Sequence, residues 1–208
     1  RTAQSEVLFR TLQDLQPRES GGADEAATSP VEVARVVLSE LLDMYGESVY
    51  DLEDVGNSME GERGPFQNVL ILELEQMNFL LIEMKRSLAE LRLGIDGVLT
   101  MTDAMEELRD ALFLDRIPES WSRRAWPSMR SLSGWRADLS KRLTQLNEWK
   151  DNPGSIPMVT WLSGLINPQS FLTAIRQQSA QATKQELDKL VIQTEVTKRM
   201  REEITDPS

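Results

Sequence analysis

The sequence predicts an all-α chain: a multi-helix bundle of about seven helices with one extended segment near the C-terminus. Three observations carry this prediction. Leu, Met, Trp and Phe recur at intervals of three and four residues through most of the 208 positions. Ser, Thr or Asn precedes several of these periodic stretches, and Gly or Pro closes them, as helix ends require. Only Leu190–Thr197 is rich in Val, Ile and Thr in the manner of a strand.

Taken in order, Val7, Leu8, Leu12 and Leu15 keep a helical spacing that Pro17 stops. Gln16–Thr28 then reads as a loop. Its acidic part, residues 19–28, has too little apolar surface to offset the entropy of ordering. Ser29-Pro30-Val31-Glu32 is a helix start with a cap, a proline at the first position and a capping-box glutamate. Val33, Val37, Leu41 and Met44 would share its inner face, and Gly46 would end it. Val49–Gly64 is acidic and punctuated by glycine, hence a loop or a short helical turn.

Pro65 opens the longest periodic segment. Phe66, Leu70, Leu74, Met77, Leu81, Met84, Leu88 and Leu91 form one stripe, on a helix roughly 42 Å long that Gly94 and Gly97 close. Thr100 or Thr102 caps the next helix, with Asp103, Glu106 and Glu107 at its positive end and Leu108 and Leu112 inside. Pro118 starts a short helix carrying Trp121. After Pro127 comes an amphipathic stretch with Leu132, Trp135, Leu139, Leu143, Leu146 and Trp149. Asp151-Asn152-Pro153-Gly154 is a loop. Trp161, Leu162 and Leu165 open another apolar piece, and Asn167-Pro168 caps a last helix through Phe171, Leu172 and Ile175.

Composition excludes whole classes of chemistry. With no His there is no Ser-His-Asp triad, imidazole acid/base or His-ligated zinc; with no Cys there is no thiol nucleophile, disulfide or iron–sulfur ligand. No apolar run reaches the ~18 residues of a membrane span, and no signal peptide opens the chain, so no membrane partner is expected. The chain begins at Arg1, which suggests a piece of something longer. The net charge of −11 is concentrated: Glu19–Glu62 holds twelve acids against Arg35 alone. Between Arg116 and Arg142 seven bases face two acids. Such polarity suits protein contacts more than nucleic acid, which is not expected as a partner.

Neither a P-loop nor a GxGxxG turn is present. A calcium loop starting at Asp51 would place Glu53, Gly56 and Glu62 suitably, but Val55 falls where an oxygen ligand is needed. A solvated acidic loop is the favoured reading. Arg123 and Arg124, beside Trp121 and Trp126, are expected as ion-paired surface around core indoles rather than a phosphate site. The Phe66–Leu91 stripe is expected to pack within the chain rather than form a coiled-coil seam. No residue qualifies as catalytic, cofactor-binding or metal-ligating, and no cofactor is expected.

Several strings resemble the C-terminal region of dynein heavy chains. They are Leu15-Gln16-Pro17-Arg18-Glu19-Ser20, Arg86-Ser87-Leu88 with Leu91 and Gly94, and Ala111-Leu112-Phe113 with Ile117-Pro118-Glu119-Ser120-Trp121. Trp126-Pro127-Ser128 follows, with Trp135, Asp138-Leu139 and Trp149; Trp126 stands where Tyr is commoner. The most specific string is Trp161-Leu162-Ser163-Gly164 running into Asn167-Pro168-Gln169-Ser170-Phe171-Leu172-Thr173-Ala174. Leu112-Phe113-Leu114-Asp115 and the Asn-Pro-Gln-Ser-Phe-Leu string look axonemal, particularly of the outer-arm type.

The resemblance implies a place in an ATP-driven microtubule motor with a ring of six AAA+ modules. Residues 1–150 would be the lid-like helical small part of the sixth module, which binds no nucleotide, and residues 151–208 the start of the C-terminal domain. A later β-rich portion would supply partners for Leu190–Thr197. The implied partners are neighbouring AAA+ modules of the same heavy chain and other dynein chains, with the microtubule reached only through other parts. The implied location is cytoskeletal, in a ciliary or flagellar axoneme. The implied role is structural and regulatory, with rigidity from the Phe66–Leu91 stripe and a cluster of Trp121, Trp126, Trp135, Trp149 and Trp161. The competing reading is an autonomous helical adaptor that binds partner helices.

Overall fold

A computed structural model describes residues 29–45, 49–59, 63–154 and 157–198. The expected first helix around Val7–Leu15 and the acidic loop 19–28 lie outside the described residues. Seven α-helices occur among the described residues, with no strand: α1 (Pro30–Tyr45), α2 (Leu52–Asn57), α3 (Pro65–Ile95), α4 (Asp103–Phe113), α5 (Glu119–Ser122), α6 (Leu132–Asp151) and α7 (Pro168–Thr183). Two single 3₁₀ turns, Leu162–Gly164 and Leu187–Lys189, flank α7 and pack on it. The all-α reading holds.

The helix ends follow the local chemistry. At α1, Glu32 Oε2 accepts from the Ser29 N–H while Ser29 Oγ accepts from the Val31 N–H, so two orphan donors are satisfied. Thr102 Oγ1 caps α4 and Asn167 Oδ1 caps α7. Gly97, at φ +74°, ends α3: its N–H reaches the Gly94 carbonyl, and the Val98 N–H reaches Leu93. That paired geometry needs a left-handed residue, which glycine supplies without strain.

By contact the chain divides into two compact units, Arg1–Val49 with Phe79–Ala137, and Tyr50–Asn78 with Asp138–Ser208. Both long helices, α3 and α6, contribute residues to each unit. In the first unit α1 packs on α4. Its core combines Leu38 and Leu41 with Leu81, Met84 and Leu88 of α3, and with Leu108 and Leu112 of α4. Trp135 stacks with Trp126 at 5.2 Å and with Trp121 at 6.1 Å, in the offset range that ring quadrupoles prefer. In the second unit Phe171 meets Phe66 at 5.6 Å and stands edge-on to Trp149 at 5.7 Å. Leu70, Leu74, Met77, Leu139, Leu146 and Leu165 complete that core.

All eight residues of the Phe66–Leu91 stripe are buried within the chain, as expected. Four details differ from the sequence reading. The inner face of α1 is Ala34, Leu38, Leu41 and Tyr45, so Val33 and Val37 are only half buried and Met44 is exposed. Small Ala34 permits close approach, and the Tyr45 hydroxyl donates to the Arg136 carbonyl, which rotates the face. The indoles do not form one cluster: Trp121, Trp126 and Trp135 belong to the first unit, Trp149 and Trp161 to the second. Trp161 is 39% exposed rather than core. Leu190–Lys198 carries neither helix nor strand, because no strand lies beside it among the described residues to take up its backbone groups.

Candidate functional site

The residues singled out for chemistry take ordinary structural roles. Asp51 caps α2, one carboxylate oxygen accepting from the Glu53 and Asp54 N–H groups at 3.0 Å each. Val55 is buried, and Glu62 lies outside the described residues. Arg123 pairs with Glu119. Arg124 donates to the Ser120 carbonyl at 3.0 Å and lies 3.6 Å from Glu83. The indole between them and the core, Trp121, is fully buried, with Nε1 donating to Ser87 Oγ at 3.0 Å.

The conspicuous polar chemistry lies instead at residues that hold backbone. Asn78, on α3, accepts the Tyr50 N–H at 2.8 Å and donates to the Tyr50 carbonyl at 2.7 Å. Gln145, on α6, does the same for Trp161, accepting its N–H at 2.7 Å and donating to its carbonyl at 3.2 Å. Glu73, on α3, is 2% exposed, and its two oxygens accept the Ile166 and Asn167 N–H groups at 2.7 Å each. Asp115, at φ +54°, caps α6 from outside the helix: its carbonyl accepts the Leu132 N–H, and its carboxylate accepts the Ser133 N–H and hydroxyl. Loops with no strand to pair with must satisfy their backbone through side chains. Asn78, Gln145 and Glu73 each do so at two points, and the Asp115 carboxylate at one.

Around Glu73 the second unit gathers its charge. Arg142 is 4% exposed, donates to the Leu165 carbonyl at 3.4 Å and lies 5.2 Å from the centre of the Trp161 ring. Burial raises the Glu73 carboxyl above its usual value, opposed by the Ile166 and Asn167 hydrogen bonds and by the Arg142 cation. Burial pulls Arg142 down, opposed by Asp138 and Glu73, from a starting value so high that it stays charged. Burial, then the nearby Asp151 charge, pushes the Tyr50 phenol up to about 12. The Trp161 ring lies across Gly164, where a Cβ would come within 2.3 Å of the indole. The Trp-Leu-Ser-Gly and Asn-Pro strings are therefore one assembly, made of a ring, the glycine it covers, and a capped helix start held by Glu73.

This arrangement positions main chain, with each carboxylate oxygen of Glu73 engaged by one backbone N–H. An open cleft of about 550 Å³ in the same unit is lined by Arg63, Asn68, Gln177, Gln181 and Leu187, among others. Sequence reasoning missed Glu73, Asn78, Arg142 and Gln145. The available signal was weak: each stands beside an apolar periodic residue (Glu73 before Leu74, Asn78 after Met77, Gln145 before Leu146), a position that elsewhere holds exposed Lys85 and Arg92.

Comparison with known proteins matches the family model described as the C-terminal domain of the dynein heavy chain over residues 2–208. Dynein beta chain, flagellar outer arm, of Chlamydomonas reinhardtii is 46% identical over 97% of the present sequence. Dynein axonemal heavy chain 9 of Homo sapiens is 42% identical over 99%, and the ciliary dynein beta chain of Heliocidaris crassispina 42% over 98%. The 208 residues span about 4% of the length of each of these relatives. The family match over nearly every residue, at such identities, shows that the protein belongs to the C-terminal domain family of dynein heavy chains.

Proposed function

We propose that the protein is a structural and regulatory helical segment of an ATP-driven, microtubule-based dynein motor, working in a ciliary or flagellar axoneme and carrying out no catalysis of its own. It transmits or restrains conformational changes of the motor ring, with neighbouring AAA+ modules of the same heavy chain and other dynein chains as its partners. The axonemal setting follows the relatives, which are named as axonemal, ciliary or flagellar dynein chains. The division at residue 150, between a lid-like small part of the sixth module and the start of the C-terminal domain, belongs to the same proposal.

The observation that supports this most is the two-point fastening of loops to long helices. Asn78 holds Tyr50, Gln145 holds Trp161 and Glu73 holds the start of α7. A packed core with pinned loops moves as a body and passes a displacement on, whereas a loosely tethered loop would absorb it. The test introduces Gln145→Ala into an intact heavy chain, with microtubule-stimulated ATPase and gliding speed measured together. Gliding distance per ATP should fall while ATPase persists; if both match wild type, the transmitting role is wrong. Calorimetry on the 208 residues alone should find no ATP binding, and micromolar affinity would overturn the non-catalytic reading.

A further inference from the structure

Helix α3 carries a second apolar face that the described residues of its unit leave open. In the first unit Leu80, Leu81, Met84, Leu88 and Leu91 are buried, yet Phe79 is 52%, Ile82 51% and Leu93 42% exposed. With Arg86 and Ala89, also exposed, these residues follow a seven-residue register: 79, 86 and 93 at one position, 82 and 89 at the other. That is the a/d seam of a coiled coil, running ~21 Å along the helix. Four of these five positions are apolar, with Arg86 at the centre, and a helix with a second apolar stripe suits packing from both sides.

The flanks of the seam are charged by side. On one flank Glu83 and Glu90 are already paired with Arg86, at 2.8 and 2.7 Å. On the other stand Lys85 and Arg92, both exposed and with no acidic partner among the described residues. We propose that the seam formed by Phe79, Ile82, Arg86, Ala89 and Leu93 docks a second helix, with an apolar stripe and an acidic flank facing Lys85 and Arg92, supplied by another stretch of the same heavy chain. The proposal rests on the motor-segment reading above. Area favours an occupant on the same polypeptide. Three half-exposed side chains offer on the order of 300 Å², well short of the ~800 Å² per partner of a stable intermolecular interface. A tethered helix needs less, because its effective concentration reaches the millimolar range.

The experiment uses the intact heavy chain. A photo-crosslinking phenylalanine analogue at position 79 should give an adduct within one heavy chain, mapping to a helix with acidic flanking residues. An adduct to a separate polypeptide, an adduct between two copies, or no adduct would each overturn the proposal. Hydroxyl-radical labelling gives an independent reading. Phe79 and Ile82 should be protected about as well as the buried Met84, and far better than Met129, which is 96% exposed. Phe79→Asp should raise labelling of Ile82 and Leu93 severalfold while Met84 stays protected, which separates lost docking from misfolding. Equal labelling of Phe79 and Met129 after correction for intrinsic reactivity sinks the docking. Microtubule-stimulated ATPase of the same preparation is read alongside: retained ATPase with no docking leaves the motor reading standing, and absent ATPase fails that reading instead.

Discussion

The two compact units share an apolar core but use their buried polar groups differently. The first relies on stacked indoles, with Trp121, Trp126 and Trp135 packed ring on ring and the Trp121 N–H absorbed by Ser87. Both units bury a carboxylate, but Glu83 of the first pairs with Arg86 and Arg124, whereas Glu73 of the second, with Arg142, holds main chain. Apolar packing is non-directional and tolerates small shifts, since its free energy follows area. Hydrogen bonds donated to a buried carboxylate are directional, and removing one partner leaves a group with a full desolvation penalty. The first unit is therefore held by volume and the second by geometry.

The largest expected effect tests volume. Trp135→Ala should cost about 3–5 kcal/mol in chemical denaturation, with Leu81→Ala and Leu88→Ala close behind at roughly 2–5, because each leaves a cavity that rigid neighbours cannot fill. If unfolding of these variants becomes dependent on protein concentration, the α3 stripe is an interface between copies, and the comparison of two self-contained cores fails.

A smaller effect tests geometry. Glu73→Gln keeps shape and one acceptor but presents an NH₂ to the second N–H group, so it should cost about 1–3 kcal/mol. The pH dependence adds a sign. The Glu73 carboxyl is raised above its usual value near 4.5, so the native state holds that proton more tightly than the unfolded chain. Its contribution is then most favourable below 4.5 and declines as pH rises through the window up to the native value. The stability advantage of wild type over Glu73→Gln should shrink across that window. A difference that stays flat, or grows with pH, would mean that the two N–H bonds and Arg142 outweigh burial.

Lower still, Asp115→Ala removes an exterior cap of α6 and should cost about 1 kcal/mol, read as a shift in denaturation midpoint. At the bottom, Arg123→Gln breaks only a solvent-exposed pair with Glu119 and should leave the midpoint unchanged within error. A clear loss there would show that surface charge, which both units share, stabilises more than either core type suggests.

Much of this could be read from residue spacing, because it depends on neighbours along the polypeptide. A three-and-four repeat places Phe66 through Leu91 on one face whatever lies opposite, and Thr102, Asn167 and Gly97 act within one turn of their own helices. Lack of His, Cys and a P-loop was likewise plain without coordinates. What spacing alone could not provide was the partner of each polar residue. Asn78 meets Tyr50 across 28 positions, and Glu73 meets Asn167 across 94. Such pairings depend on which helices lie side by side, and the one-residue rotation of α1 onto Ala34 and Tyr45 depends on it too. Periodicity chooses a face; only tertiary packing chooses what the face meets, because the desolvation of a buried polar group is offset by whichever partner the fold brings within hydrogen-bond reach.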